Sequence, residues 1–193
     1  MMMEMGDYRG EFNPKARFED FSKDALVKLV KEYARLFALL GGMYDSVIKD
    51  KLGFDEASKM STEVFIGRMI GQHEGPRIAR ALGIDGDDVL ALMKLIQMVP
   101  DGTREDLYAS DFDVKNNNHV IWTVRECPTL FYYERHGDNK AISACCGMGG
   151  QEHQAVEKYR DVINPKIEVI PLKLPPRAKE GDICCQWEYK LES

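Results

Sequence analysis

The spacing of apolar residues changes partway along the chain, and this change constrains the fold more than any single motif. From Leu26 to Ile48, apolar side chains recur every three or four residues, which predicts one long amphipathic helix. Ser22 is suited to cap the start of that helix, and Gly53 to close its end. Beyond residue 107, apolar and polar residues alternate in short runs, which is typical of strands.

Two more helical patterns complete the first hundred residues. One begins near Asp55 and ends at Gly83, and the Gly75-Pro76 pair inside it predicts a break or kink. The next spans residues 85–98 and is stopped by Pro100. The N-terminal half is therefore predicted to form a layer of helices.

The C-terminal half predicts strands with helical segments between them. A short helical turn follows Pro128, and a helix covers residues 151–162. The predicted strands are 107–114, 120–124, 167–174 and 183–191.

This order predicts an α+β fold, in which an N-terminal helical layer packs on a C-terminal antiparallel sheet of about four strands with an inserted helix. The helices need the sheet face for burial, so one domain is favoured over two. The predicted organisation is a polar arm or loop over 1–21 and a single domain over 22–193, with a helical half, 22–100, and a sheet-rich half, 101–193.

Charge and hydropathy exclude several classes of partner. A net charge of −6 argues against a nucleic-acid binder, which normally shows a basic face. No apolar run approaches the roughly 20 residues that span a bilayer, and the first residues lack a secretory signal pattern. We therefore expect a cytoplasmic protein whose partner is a small molecule, and the long N-terminal helix is compatible with a homodimer.

All five cysteines lie in the C-terminal third of the chain. In the last predicted strand, alternation points Cys185 inward and Cys184 toward a polar or solvent face. Cys145 and Cys146 precede a glycine-rich turn at a predicted helix N-terminus, where the helix dipole lowers a thiol pKa. His153 lies in the first turn of the same helix.

Three uses of these thiols remain open. The first use is metal binding, because cysteine and histidine side chains are the usual ligands of Zn²⁺. The candidate ligands are Cys127, Cys146, Cys185 and His153, whereas iron or an iron–sulfur cluster has weaker support. Alternatively, Cys146 is a nucleophile paired with His153 as its base. The third use is packing, since free cysteines are common in protein cores.

Aromatic residues near these cysteines predict a ligand pocket. The residues suited to form its walls are Trp122, Phe131, Tyr132, Tyr133 and Trp187, which fall close to the thiol-bearing segments. A non-catalytic ligand-binding or sensor module is therefore one expectation, and a metal-stabilised structural protein is another.

Four short motifs carry a resemblance to a known family: ECP at 126–128, CCG at 145–147, NPKIEV at 164–169 and GDICCQWEY at 181–189. With them the chain resembles the L-2-amino-thiazoline-4-carboxylic acid hydrolase-like proteins over residues 22–191, which implies hydrolysis of a small cyclic C–N bond of the thiazoline or amidine type. The resemblance implies that Cys127, Cys146 and Cys185 are the family cysteines. The closing motif is also similar to that of four-vinyl-reductase-like ligand-binding domains, and the doubled cysteines differ from both patterns.

If the three family cysteines share one metal, Cys127→Ser and Cys185→Ser must act together. We expect both substitutions to abolish bound metal, or neither to change it, because a ligand set fails when any member is lost. Elemental analysis of anaerobically purified variants measures this. Loss of metal from one variant alone would contradict a shared site.

Overall fold

The structure is a computed structural model that describes residues 5–9, 11–100, 108–179 and 181–192. Its helices lie in the N-terminal half and around the middle of the chain, and its sheet lies in the C-terminal half. The predicted α+β fold is therefore confirmed. The first strand's predicted start at residue 107 lies outside the described residues.

The long N-terminal helix, α1, spans Lys23–Leu52, as the apolar spacing predicts. The Ser22 side chain accepts a hydrogen bond from the Ala25 N–H, which satisfies one of the unpaired amides of the first turn. Gly53 ends the helix with φ +85°, a conformation that residues with a side chain rarely adopt.

The chain does not break at Gly75-Pro76, but Pro76 lies in the first turn of a short continuation to Leu82 that Gly83 caps, as predicted. Helix α2, Phe54–Ser61, continues through a π-helical segment, Thr62–Glu74, into α3, Gly75–Leu82. Pro76 lies in the first turn of α3, where π-helical hydrogen bonding gives way to α-helical bonding. The proline's missing N–H is tolerated at such a position, so the chain stays helical.

Helix α4, Val89–Met98, begins four residues later than predicted. Gly86 has φ +96°, which is incompatible with a helix. Asp88 then caps the helix by accepting a hydrogen bond of 2.8 Å from the Ala91 N–H. No helix in the described part of the chain is long and apolar enough to cross a membrane.

Three helices, and not one, separate the two halves of the sheet. Helix α5, Pro128–Arg135, and helix α7, Gln151–Ile163, match the predicted segments. Helix α6, Asn139–Cys146, was not predicted. It begins at Asp138, whose carboxylate accepts a hydrogen bond of 3.0 Å from the Ala141 N–H.

The four strands form one antiparallel sheet in the order β1-β2-β4-β3. The strands are β1, Ser110–Asn116; β2, His119–Val124; β3, Glu168–Lys173; and β4, Cys185–Lys190.

One face of this sheet forms the core. Trp122 lies opposite Trp187 across the β2–β4 pair, and Val120 lies opposite Tyr189. Trp187 and Tyr189 are fully buried. Helix α4 covers this face together with α7, which also packs against the π-helical segment.

Two glycine substitutions should change stability in opposite directions. A Cβ at Gly42, inside α1, would meet no atom within 4 Å, so Gly42→Ala should stabilise the fold by about 0.5–1 kcal/mol. A Cβ at Gly75 would lie 3.0 Å from Val162 Cγ2, so Gly75→Ala should destabilise it by roughly 1–3 kcal/mol through overpacking. Urea unfolding measures both changes, and equal effects would contradict this packing.

Candidate functional site

All five cysteines meet where the end of β2, the C-terminal end of α6 and the start of β4 come together. Every one is a free thiol. Cys146 and Cys184 are buried in a small apolar cluster, and the other three pack against its margin. We call the five residues the cysteine cluster. Cys127, Cys146 and Cys185, the three cysteines proposed to share a site, therefore pack in one cluster.

Three of the sulfur atoms hold defined hydrogen bonds. Cys127 caps α5, and its Sγ accepts from the Leu130 N–H at 3.5 Å. Cys184 Sγ donates to the Arg125 carbonyl oxygen at 3.2 Å. The Trp187 indole N–H donates to Cys185 Sγ at 3.3 Å. These bonds orient the thiols within the fold.

The prediction that Cys184 faces a polar or solvent face is wrong. Its side chain is 1% exposed. Strand β4 begins at Cys185, so the alternation of side chains does not extend back to Cys184. The Cys184 N–H instead donates to the Val124 carbonyl at 2.8 Å, which turns its thiol into the cysteine cluster.

The expected thiolate at Cys146 is also wrong. Cys146 is the last residue of α6, so it lies at the negative end of a helix dipole and not at the N-terminus of α7. A hydrogen-bonding interaction with the Cys145 thiol, and then burial, raise the pKa of Cys146 well above its usual value. Burial raises the pKa of Cys127 to about 12.

His153 lies in the first turn of α7, as predicted, but it is not paired with Cys146 there. Its Nδ1 accepts a hydrogen bond of 3.0 Å from the Gly149 N–H. Its ring lies 5.4 Å from the Trp187 ring, centre to centre. Through these two contacts, His153 connects the turn before α7 to the sheet core.

The predicted metal ligands do not form a ligand set. Among the residues that the structure describes, no group of three or more His, Cys, Asp or Glu side chains is placed to hold a metal ion. Cys127, Cys146 and Cys185 pack together, but His153 is held by Gly149 and Trp187. This arrangement gives no support to a zinc or iron site.

The five predicted aromatic wall residues differ in burial. Trp122, Phe131 and Tyr133 pack against the same apolar cluster as the cysteines. Trp187 is buried in the sheet core, and Tyr132 is half exposed. Trp122 also stacks on Phe112 with ring centres 6.2 Å apart, and the Arg177 guanidinium lies 4.7 Å from the centre of the Phe131 ring. That these residues form one ligand pocket stays a prediction.

A small pocket lies beside the cysteine cluster, between α1, α2 and the three middle helices. Its volume of about 20 Å³ has room for about one water molecule. We call it the thiol pocket, because Cys145 is the one cysteine among its lining residues. The lining residues are Asp45, Phe54, Ala57, Ser58, Tyr133, Ala141, Ala144, Cys145 and Gln151.

The polar groups of the thiol pocket are held in place by neighbouring helices. Asp45 accepts a hydrogen bond of 2.6 Å from the Ser61 hydroxyl. The Gln151 side-chain amide donates to the Ser58 carbonyl at 3.3 Å. Burial, and then the nearby Cys145 thiol and Asp45 carboxylate, raise the pKa of Tyr133, so its hydroxyl keeps its proton.

Sequence reasoning missed this pocket because its residues come from distant segments. Asp45 lies on α1 and Gln151 begins α7, and no motif links them. The Asp138 cap was the available signal for α6, and that helix is what carries Cys145 into the pocket.

Comparison with known proteins gives one match. Residues 19–191 match the model of a family described as a family of unknown function, DUF6125. No curated protein and no solved structure matches the chain. The resemblance to thiazoline hydrolases and four-vinyl-reductase-like domains stays a prediction.

The buried thiols should make the fold less stable in alkali. Unfolded thiols ionise near pH 9.0, whereas burial holds the Cys127 pKa at about 12. The stability from keeping this thiol protonated is therefore complete below pH 9.0 and is lost as the pH rises toward 12.

We expect the urea midpoint to fall between a pH of about 8 and about 10, and to fall less in Cys127→Ser, which cannot ionise there. For each protein, the urea midpoint at the higher pH is compared with its own midpoint at the lower pH. Any loss of stability that the substitution itself causes at both pH values therefore cancels. An equal fall in both proteins would contradict the burial of this thiol.

Proposed function

The chain belongs to the family of unknown function DUF6125, and we propose that it is a small-molecule hydrolase whose reactive thiol is Cys145. The observation that carries this proposal is the position of that thiol in the thiol pocket, beside Tyr133 and Asp45. The reaction class is cleavage of a small C–N bond, as in a cyclic amidine or thiazoline.

The two adjacent cysteines have different roles in this proposal. Cys146 is buried and its raised pKa keeps it protonated. Cys145 is partly exposed and lines the thiol pocket. The family resemblance implied Cys146 as the family cysteine, and the geometry supports its neighbour instead.

Each polar group of the pocket has a matching chemical role. Asp45 takes the thiol proton as Cys145 Sγ bonds to the carbon of the substrate's C=N or amide group. The C–N bond then breaks, and the leaving nitrogen takes the proton of the Tyr133 hydroxyl. Water attacks the sulfur-bound carbon, restores the proton to Tyr133, and releases the product as Cys145 recovers its proton from Asp45.

Two lysines lie beside the Phe54 ring, which lines the pocket. Lys49 Nζ and Lys140 Nζ are 5.3 Å and 4.6 Å from the ring centre. Each is already paired with a carboxylate, Lys49 with Asp138 at 3.5 Å and Lys140 with Asp55 at 2.7 Å, so a substrate carboxylate binds here only by competing with these two residues. Because the pocket holds about one water, a larger substrate enters by displacing the Phe54 ring.

Binding without turnover is the second candidate function. The Asp45 carboxylate already accepts a hydrogen bond of 2.6 Å from the Ser61 hydroxyl, so one of its oxygens is occupied before a substrate binds. Under this alternative the same pocket and the same lysines hold a small carboxylate ligand, and Cys145 only contacts it.

Substitutions in the thiol pocket test the proposal with aminothiazoline carboxylate and other small cyclic amidines as substrates. We expect Cys145→Ser to lower kcat/KM by at least about 100-fold, since the nucleophile is lost, and Tyr133→Phe to lower kcat by about 10- to 100-fold. Tyr8→Phe, in the N-terminal arm, is the matched control and should keep full activity.

Two outcomes would contradict catalysis by Cys145. One is full activity in Cys145→Ser. The other is wild-type protein that binds these compounds, by calorimetry, without turnover and without a covalent adduct in intact-mass spectra. The second result would support the binding role.

A further inference from the structure

Helix α1 carries a row of exposed apolar side chains along most of its length. Tyr33, Leu36, Leu40, Met43 and Val47 are each 52–67% exposed. We call these five residues the α1 stripe.

The opposite side of α1 holds the helix to the rest of the fold. Ala34 and Ile48 are buried, and a Cβ at Gly41 would meet the Phe65 ring at 3.4 Å. Asp45 accepts the hydrogen bond from Ser61 described above. The α1 stripe is therefore a second, separate apolar face of this helix.

The spacing within the α1 stripe is that of a coiled coil. Its residues are separated by three, four, three and four positions, which are successive a and d positions of a heptad repeat. A helix that only covers its own core needs the 3.6-residue period of a straight helix. The α1 stripe covers two heptads, and it is the combination of this spacing with exposure of every member that favours another helix packed along it.

We propose that this other helix is α1 of a second copy, packed antiparallel. In that arrangement Leu36 of each copy meets Leu40 of the other, and Tyr33 meets Met43. The midpoint of these pairs is residue 38, close to the middle of Lys23–Leu52, so the two helices overlap along their full length. Antiparallel packing also opposes the two helix dipoles.

The exposed area of α1 is sufficient for a stable dimer. Eight exposed apolar side chains on or beside the α1 stripe present on the order of 800 Å², which is about the area that each partner buries in a standard interface. The pairing is self-complementary, as a two-fold axis requires. The eight residues are Val30, Tyr33, Leu36, Leu39, Leu40, Met43, Tyr44 and Val47.

Three variants of the full chain test the dimer, with mass in solution measured by light scattering after size exclusion. We expect wild type at twice the mass of one chain and Leu36→Lys at half the wild-type mass. Leu82→Lys is the matched control, because Leu82 is also a helical leucine that is 57% exposed, and it should remain dimeric. Circular dichroism checks that each variant is folded.

A charge pair tests the orientation. In the double variant Leu36→Lys/Leu40→Glu, antiparallel packing places each new lysine opposite a glutamate and should restore the doubled mass. Parallel packing would place like charges together and leave single chains.

Three results would overturn the proposal. They are a monomeric wild type, a Leu36→Lys protein that keeps the doubled mass, and a double variant that stays monomeric. A monomer that instead binds vesicles of anionic phospholipid would assign the α1 stripe to a membrane surface.

Discussion

The burial of one sheet face is the interaction on which the rest of the structure depends. Trp187 and Tyr189 contribute two of the largest fully buried side chains, and α4 and α7 cover them. At roughly 25 cal/mol for each Å² of apolar surface removed from water, aromatic residues of this size contribute several kcal/mol together. Because α7 is held against this face, the turn before it and the end of α6 are also placed. The cysteine cluster is a consequence of that packing.

In the cysteine cluster, burial gives chemically identical thiols different surroundings and raises the pKa of most of them. Cys127, Cys146, Cys184 and Cys185 all have a raised pKa, for which burial is a cause in each case. A protonated thiol in an apolar setting behaves as a small hydrophobic group with a weak donor. Cys145 lines a pocket that also holds a carboxylate and a phenol. The cluster is therefore mainly core, and Cys145 is the member that lines the thiol pocket.

Local signals predicted those parts of the fold whose hydrogen bonds are local. The start of α1 at Ser22, its end at Gly53, and the alternating strand around Trp122 follow from short-range preferences. Helix α6 has eight residues, which is too short for a helical period to stand out, so its one clear signal was the cap at Asp138. The helix through Pro76 depends on a change in hydrogen-bond spacing that periodicity does not reveal.

The candidate site was harder to predict, because it depends on contacts between distant segments. The convergence of thiols followed from their positions at the ends of predicted elements. Which thiol is buried did not, because it depends on where β4 begins and where α6 ends. If β4 began one residue away from its actual start, Cys184 and Cys185 would exchange their buried and partly exposed positions. The end of α6 decides the same for Cys145 and Cys146. Asp45 enters the site from α1, which shares no motif with the cysteines, whereas Tyr133 comes from α5, the helix that Cys127 caps.

The strand order has a consequence for synthesis on the ribosome. The sheet order β1-β2-β4-β3 places the last strand made between two that are made earlier. Until residue 190 has left the exit tunnel, β3 lacks the neighbour to which it is hydrogen-bonded, and the β2 edge stays open. From the emergence of β2 until β4 follows, a nascent chain therefore has an unpaired strand edge, and the helices that cover Trp187 lack that side chain to pack on. Aggregation competes with folding in such a state.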